Sequence, residues 1–274
     1  MRNIAISDML TGGQTNDLSM DLSKVFSLQG KVAIVTGVGW GIGYNIAAFF
    51  AAAGGKVVIS SNEAEDLAEI TAKLKSRGYD VLGLICDPTN TGQLDDLVEQ
   101  TVAYYGQLDI LVNNSGGSSF CGYLRDLDME DFNRLMDRNV KAPLELSKIC
   151  FPYLRQSANG AIVNIVASDA NAPELKTGLC AISKSSLIAL TKALAKEWGN
   201  YRIRVNLICP GLTESSSENL FWSDEKILGE MIKRSSLKRM CESKEIAAMA
   251  LFLASPASSF TTGTVMHVDG GYDL

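Results

Sequence analysis

The chain is poor in the residues that build metal sites and disulfide frameworks. Its 274 residues hold one histidine, His267, and six cysteines. Cys86, Cys121, Cys150, Cys180, Cys209 and Cys241 are scattered and none belongs to a CxxC pair, so no metal site assembles at the usual zinc spacings. Most of them sit inside or beside apolar runs, as reduced, buried thiols of a cytoplasmic protein do. Long apolar runs are missing too. The most apolar stretch, Ile46 to Ala53, falls far short of the roughly 20 residues that span a bilayer, so no membrane partner is expected. Met1 to Leu10 carries Asp8 and no long apolar core, so a secretory signal is not expected. Positive charge is in deficit, with 25 Lys and Arg against 31 Asp and Glu and a net charge of -6. A pI near 5.0 argues against a nucleic-acid partner, because backbone phosphates demand a basic patch. It leaves room for a small local anion site.

What is there reads as a globular α/β chain. At 46% hydrophobic and 20% charged, the composition excludes a disordered chain, a collagen and a coiled coil. Residues 1–27 are polar with little periodicity and read as an arm. From Lys31 onward, short apolar runs alternate with amphipathic stretches. The runs are Val32–Val35, Val57–Ile59, Val81–Ile85, Ile110–Val112, Ile162–Val166, Ile203–Ile208 and Val265–Val268. Runs of that kind suit strands buried on both faces. Between them the spacing predicts helices over Ile42–Ala53, Glu63–Ser76, Thr91–Tyr105, Met129–Leu154, Ile182–Trp198, Glu218–Lys233 and Lys244–Ala254. Alternation of this kind predicts one domain over 28–274. Its expected fold is a Rossmann-like, doubly wound parallel sheet of about seven strands with helices on both faces.

The first predicted strand runs into Thr36-Gly37-Val38-Gly39-Trp40-Gly41-Ile42-Gly43 and then a helix. Glycines permit a tight turn and a close backbone approach to a pyrophosphate. The helix that follows offers free N–H groups and the positive end of its dipole. A glycine pattern alone is weak, but between the first strand and first helix of a βαβ unit it points to dinucleotide binding.

With further motifs the sequence resembles the classical short-chain dehydrogenase/reductase family, from about Gln29 onward. Asn113-Asn114-Ser115-Gly116 is similar to the family's NNAG, Lys184 to the lysine of its YxxxK, Pro210-Gly211 to its PG turn, and Val268-Asp269-Gly270-Gly271-Tyr272 to its usual ending. The resemblance implies a hydride-transferring oxidoreductase with a small-molecule substrate, assembled as a homodimer or homotetramer. It assigns Gly37, Gly39, Trp40, Gly41, Ile42 and Gly43 to the phosphate turn, and Ser61 and Asn62 to the ribose. Asp87 with Pro88 goes to the adenine, Asn113, Ser115 and Gly116 to the same cofactor, and Pro210, Gly211 and Thr213 with Lys184 to its nicotinamide half. Asn139 matches the asparagine that holds a water in the family's proton relay. Pro143 lacks an N–H, so it should free the Asn139 carbonyl for that water. The substrate lid is expected over about 211–238, where Phe221-Trp222 follows a serine-rich turn.

The likeness breaks at the chemistry. The family's tyrosine donates the proton and its serine orients the carbonyl. The tyrosine position is Cys180 and the serine position is Ala167. A cysteine has a suitable reference pKa of about 8.5, but its sulfur lies several ångströms closer to the backbone than a phenol oxygen. It would act only through a water or on a deeply placed substrate. Ser168 and Asp169 are the other candidates, and a buried Asp169 could serve as a general acid. At the ribose, Ser61 stands where NAD-preferring folds carry an acid. Its neutrality leans toward NADP(H) over NAD(H), although no Arg or Lys replaces the acid. The expected function is atypical NAD(P)(H)-dependent hydride transfer to or from a small carbonyl, alcohol or activated alkene. The alternatives are a non-redox dehydratase, isomerase or cyclase on the same scaffold, or an inactive dinucleotide-binding homologue.

Overall fold

A computed structural model describes residues 22–114, 116, 122–166, 175–214 and 225–272. Residues 1–21 of the arm, Ser115, Ala167, Ser168, Asp169 and the Phe221-Trp222 part of the expected lid lie outside the described residues. A short helix α1 (Leu22–Val25) leads into β1 (Val32–Val35), α2 (Ile42–Ala52), β2 (Lys56–Ser61), α3 (Ala64–Ser76), β3 (Val81–Ile85), α4 (Thr91–Tyr105) and β4 (Ile110–Asn113). Then come α5 (Met129–Met136), a π-helical turn (Asp137–Lys141), α6 (Ala142–Leu154), β5 (Gly160–Ile165), α7 (Gly178–Trp198) and β6 (Ile203–Pro210). The chain closes with α8 (Glu225–Arg234), α9 (Ser243–Ala254) and β7 (Val265–Val268).

The strands form one parallel sheet of seven, in the order β3-β2-β1-β4-β5-β6-β7. Helices cover both faces, so successive residues of a strand enter different cores. Ala33 and Val35 face α2, α3 and α9, packing with Ile46, Phe50, Ile70 and Ile246. Val32 and Ile34 face α4, α6 and α7, packing with Leu97, Cys150, Leu154 and Leu194. Burial on both faces is why these strands read as unbroken apolar runs. The order reverses between β1 and β4, which are neighbours although their crossovers leave to opposite faces. Such a switch point opens a crevice at the carboxyl ends of the strands.

The structure corrects two sequence expectations about helices. The Met129–Leu154 helix widens into a π turn, in which the Ala142 N–H donates to the Asp137 carbonyl. Helix α7 begins at Gly178, one turn ahead of the expected start. Gly178–Tyr201 is also long and apolar enough to cross a bilayer by length and composition, a property missed because Lys184, Lys192 and Lys196 interrupt its apolar runs. Half of its apolar window is buried in the fold, with Leu187 and Leu194 in the two cores beside β5 and β6.

At the amino-terminal ends of the central strands β1 and β4, Asp109 fastens three segments. Its buried carboxylate accepts from Lys31 Nζ at 2.9 Å, Ser157 Oγ at 2.6 Å, the Val32 N–H at 3.0 Å and Gln107 Nε2 at 2.6 Å. Burial pushes the Asp109 carboxyl up, but the bonds from Ser157, Val32 and Lys31 outweigh it and hold it below the usual carboxylate value. A depressed folded-state pKa stabilises the fold above the unfolded value, and that contribution is lost as pH falls through the folded one. Asp109→Asn is therefore expected to cost about 2–4 kcal/mol at neutral pH. The difference from the parent should shrink below about pH 4. Urea unfolding at both pH values reads this, and equal midpoints at pH 7 would overturn it.

Candidate functional site

The glycine loop occupies the crevice at the switch point. Gly37 takes the left-handed backbone region with φ 62°. The buried Val38 pins the loop by donating its N–H to the Ser60 carbonyl at 2.9 Å. Around Gly39 nothing lies within 4 Å of where a Cβ would stand, which leaves the outer side of the turn open. Gly41 caps α2 without a side-chain bond, and the first turn of α2 carries no acid. That helix end is thereby left to an anion, favoured by its N–H groups and dipole. A Cβ on Gly43 would meet Asn114 Nδ2 at 2.9 Å and the Gly37 carbonyl at 2.9 Å. Only glycine lets the helix press this closely against the turn.

Asn114 holds the loop from β4. Its Nδ2 donates to the carbonyls of Thr36 at 3.1 Å and Gly37 at 2.9 Å. Its own N–H donates to Thr36 Oγ1 at 3.1 Å. The sequence reading passed over Asn114, although an amide just beyond a buried strand and opposite a glycine turn is the available signal. Asn113, expected at the cofactor, instead turns into the core. Its Nδ2 donates to Asn164 Oδ1 at 2.8 Å, and Asn164 Nδ2 donates to Thr191 Oγ1 at 2.8 Å. A buried amide must find partners inside the protein, and these couple β4, β5 and α7. Asn164 was detectable as a polar residue inside an apolar run.

The ribose and adenine end is built from loops after β2 and β3. Ser61 is buried and its Oγ accepts the Glu63 N–H at 3.2 Å, while Asn62 is exposed. Asp87 accepts from the Thr89 N–H at 2.9 Å and from Thr89 Oγ1 at 2.8 Å. Those two bonds, with a smaller pull from Arg138, hold its carboxyl below the usual range against the upward push of burial. Asp87 and Pro88 are half-buried. Trp40 leans onto Tyr44 of α2, with ring centroids 5.3 Å apart, and Lys73 Nζ of α3 sits 4.4 Å from its ring centre. It thus packs over the α2–α3 surface.

The catalytic candidates meet between the π turn and α7. Asn139 lies in the π turn and is buried, and its Nδ2 donates to Ser183 Oγ at 3.0 Å. Ser183 Oγ donates in turn to the Cys180 carbonyl at 2.9 Å. This lock fixes the π turn against α7 where Lys184 is itself buried. Single-turn π bulges recur at functional sites because they re-aim a side chain without ending the helix. Gly116 comes close as well, since a Cβ there would stand 3.6 Å from Asn139 Oδ1. Cys180 is 1% exposed and packs with Leu135 and Leu179, flanked by Leu127 and Phe132. These apolar contacts make part of the setting of a packing thiol.

The far wall comes from β6 and the return of the chain. The Gly211 N–H donates to the Val268 carbonyl at 3.0 Å. A Cβ on Gly211 would stand 2.6 Å from the Asp269 Cα, so Pro210-Gly211 lies directly on the C-terminal turn. Thr213 Oγ1 donates to the Gly211 carbonyl at 2.9 Å, and Thr213 bridges to Cys241. The first residues of the expected lid are thus pinned, and α8 beyond them returns to Gly270 through Ser235 and Leu237. Among the described residues no cluster of three metal-ligating side chains occurs.

Comparison with known proteins fits this geometry. The family model described as enoyl-(acyl carrier protein) reductase matches residues 37–273. An uncharacterized oxidoreductase of Thermotoga maritima is 35% identical, over 89% of this chain and 98% of its own length. A 7α-hydroxysteroid dehydrogenase solved with NADH and 7-oxo glycochenodeoxycholic acid superposes with a TM-score of 0.87 at 33% identity, covering 92% of this chain and 98% of that one. A gluconate 5-dehydrogenase from Burkholderia cenocepacia J2315, solved with NADP and tartrate, gives a TM-score of 0.87 at 27% identity, covering 92% and 99%. A parallel sheet in this strand order, a glycine turn at its switch point and relatives along nearly the whole length have one explanation: the chain belongs to the short-chain dehydrogenase/reductase family of oxidoreductases.

Proposed function

We propose that the protein carries out NAD(P)(H)-dependent hydride transfer to or from a small carbonyl compound, alcohol or activated alkene, with a non-standard proton donor. One observation carries the reading. The turn from Thr36 to Gly43 stays open at Gly39 and is held in shape by Asn114, in front of an α2 end with no side-chain cap. These residues fit a dinucleotide pyrophosphate. When bound, the nicotinamide supplies or accepts the hydride. The loop and α2 orient the phosphates, Asp87 faces the adenine, and Pro210, Gly211, Thr213 and Lys184 line the nicotinamide half. Ser61 adds no negative charge beside the ribose, which supports NADP(H) ahead of NAD(H). Asn139 and Lys184 form the proton relay, positioned through Ser183. Positioning alone accelerates reactions substantially, so a slow reductase without the phenol is physically reasonable. Ser168, Asp169 and Cys180 are the donor candidates on this chain.

The burial of Cys180 among leucines favours a second reading, a non-redox enzyme or a dinucleotide-binding homologue without turnover. Thermal melting with NADPH, NADH, NADP and NAD side by side tests the binding step. A ligand that binds only the folded state adds about 2.7 kcal/mol at a hundredfold excess over its Kd. A shift with at least one nucleotide is expected, the largest with the phosphorylated pair. No shift with any of the four overturns the proposal. Nucleotide oxidation against a broad panel of carbonyls then separates redox turnover from the second reading.

A further inference from the structure

Beside the candidate site, two cations gather on one aromatic ring. Tyr123 lies in the connection after β4, and Lys176 precedes α7 in the connection after β5. The Arg125 guanidinium carbon is 4.9 Å from the Tyr123 ring centre, and Lys176 Nζ is 5.3 Å from it. The two connections are tied to each other. The Gly122 N–H donates to the Lys176 carbonyl at 3.0 Å, and the Leu124 side chain comes within 3.1 Å of where a Cβ on Gly178 would stand. Gly178 opens α7, whose first two turns carry Cys180 and Lys184. The cation pair therefore sits beside the start of α7, the helix that carries Cys180 and Lys184.

Its electrostatics are out of character for the chain. With a net charge of -6, a positive spot is a local exception. Lys176 has no carboxylate partner among the described residues, and the Arg125–Asp126 contact, 3.3 Å long and exposed, is worth little. The ring's negative face attracts each cation. The ring thus collects two like charges and leaves both with donors to spare, which an anion would use. Lys176 also holds φ 71°, a conformation costly for a residue with a side chain and tolerated here because its carbonyl is bound by Gly122.

We propose that Tyr123, Arg125 and Lys176 form an anion-selecting rim, and that the substrate is a carbonyl compound bearing a carboxylate remote from the reacting carbon. This rests on the carbonyl chemistry proposed above and names its substrate class.

The test compares levulinate, 5-oxohexanoate and 4-benzoylbutyrate with their methyl esters on the full chain saturated with the nucleotide that shifts its melting. Calorimetric Kd values, and kcat/KM where turnover occurs, give an acid-to-ester preference for each pair. At least one acid is expected to bind tighter than its ester, and added salt should erode the preference. Arg125→Gln with Lys176→Gln should lower that preference about tenfold, the equivalent of about 1.4 kcal/mol, through KM rather than kcat. Nucleotide binding by the double variant reports an intact fold. Esters binding as well as acids, or a preference unchanged in the double variant, overturns the rim while leaving hydride transfer standing. An acid preference that vanishes in the variant without any turnover upholds the rim and removes the redox reading instead.

Discussion

Cys180→Tyr combined with Ala167→Ser is expected to raise NAD(P)H-dependent ketone reduction by about 10²–10⁴-fold, the usual worth of a positioned general acid. The surroundings of position 180 are already arranged for it. Lys184 follows one turn later and is buried, and Asn139 reaches the same turn of α7 through Ser183. A phenol at 180 is too large to share the space between Leu135 and Leu179, where overpacking costs about 1–3 kcal/mol. It should turn instead toward the cleft, where its oxygen reaches farther than the thiol sulfur. Cys180→Phe in the same background is the control, because it adds the ring without the acid. Steady-state nucleotide oxidation over a ketone panel reads the result. If the double variant melts normally, still binds nucleotide and reduces no ketone faster than the parent, the site is not built for carbonyl reduction.

Gly43→Val should abolish nucleotide binding, with Kd weakened by more than about 10²-fold or about 2.7 kcal/mol. Its first added carbon already falls within 3.0 Å of the Gly37 carbonyl, Val38 Cα and Asn114 Nδ2. Two of those atoms are backbone and cannot yield without moving the loop. Asn114 would lose its hold on Thr36 and Gly37, and melting without ligand should fall as well. Gly39→Ala separates the effects, because nothing stands within 4 Å of its added carbon. It should keep the parent's melting temperature while weakening nucleotide binding, since the new methyl points to the side left open for phosphate. Titration calorimetry checks both, and parent-like affinity in Gly43→Val would overturn the assignment of this turn.

Much of the architecture was legible because its causes are local. Strands buried on both faces must be continuous apolar runs, so Val32–Val35 was visible with its ends, while the edge strands Val81–Ile85 and Val265–Val268, only partly buried, showed as short apolar-rich stretches. Thr91–Tyr105 was equally plain, since Asn90 caps it and Gly106 takes the left-handed turn that ends it. The glycine turn was readable from its place between a strand and a helix. Where neighbouring segments decide, the sequence was silent. Whether the Asn113 amide faces a cofactor or Asn164 depends on β5 and α7, which lie far along the chain. Pro143 signalled a disturbed helix, but the π turn and its lock onto Ser183 required α7 to be packed against it.

By itself, then, the sequence determined a doubly wound sheet, a dinucleotide-type turn and the loss of two family side chains at positions 167 and 180. Those follow from periodicity, backbone freedom and residue identity, all properties of the chain before it folds. Tertiary structure alone decided that Asn114 clasps the turn, that Cys180 joins a leucine cluster, and that Arg125 and Lys176 converge on Tyr123. Hydrogen bonds, burial and charge proximity act over a few ångströms of space, and only folding brings those residues within that range.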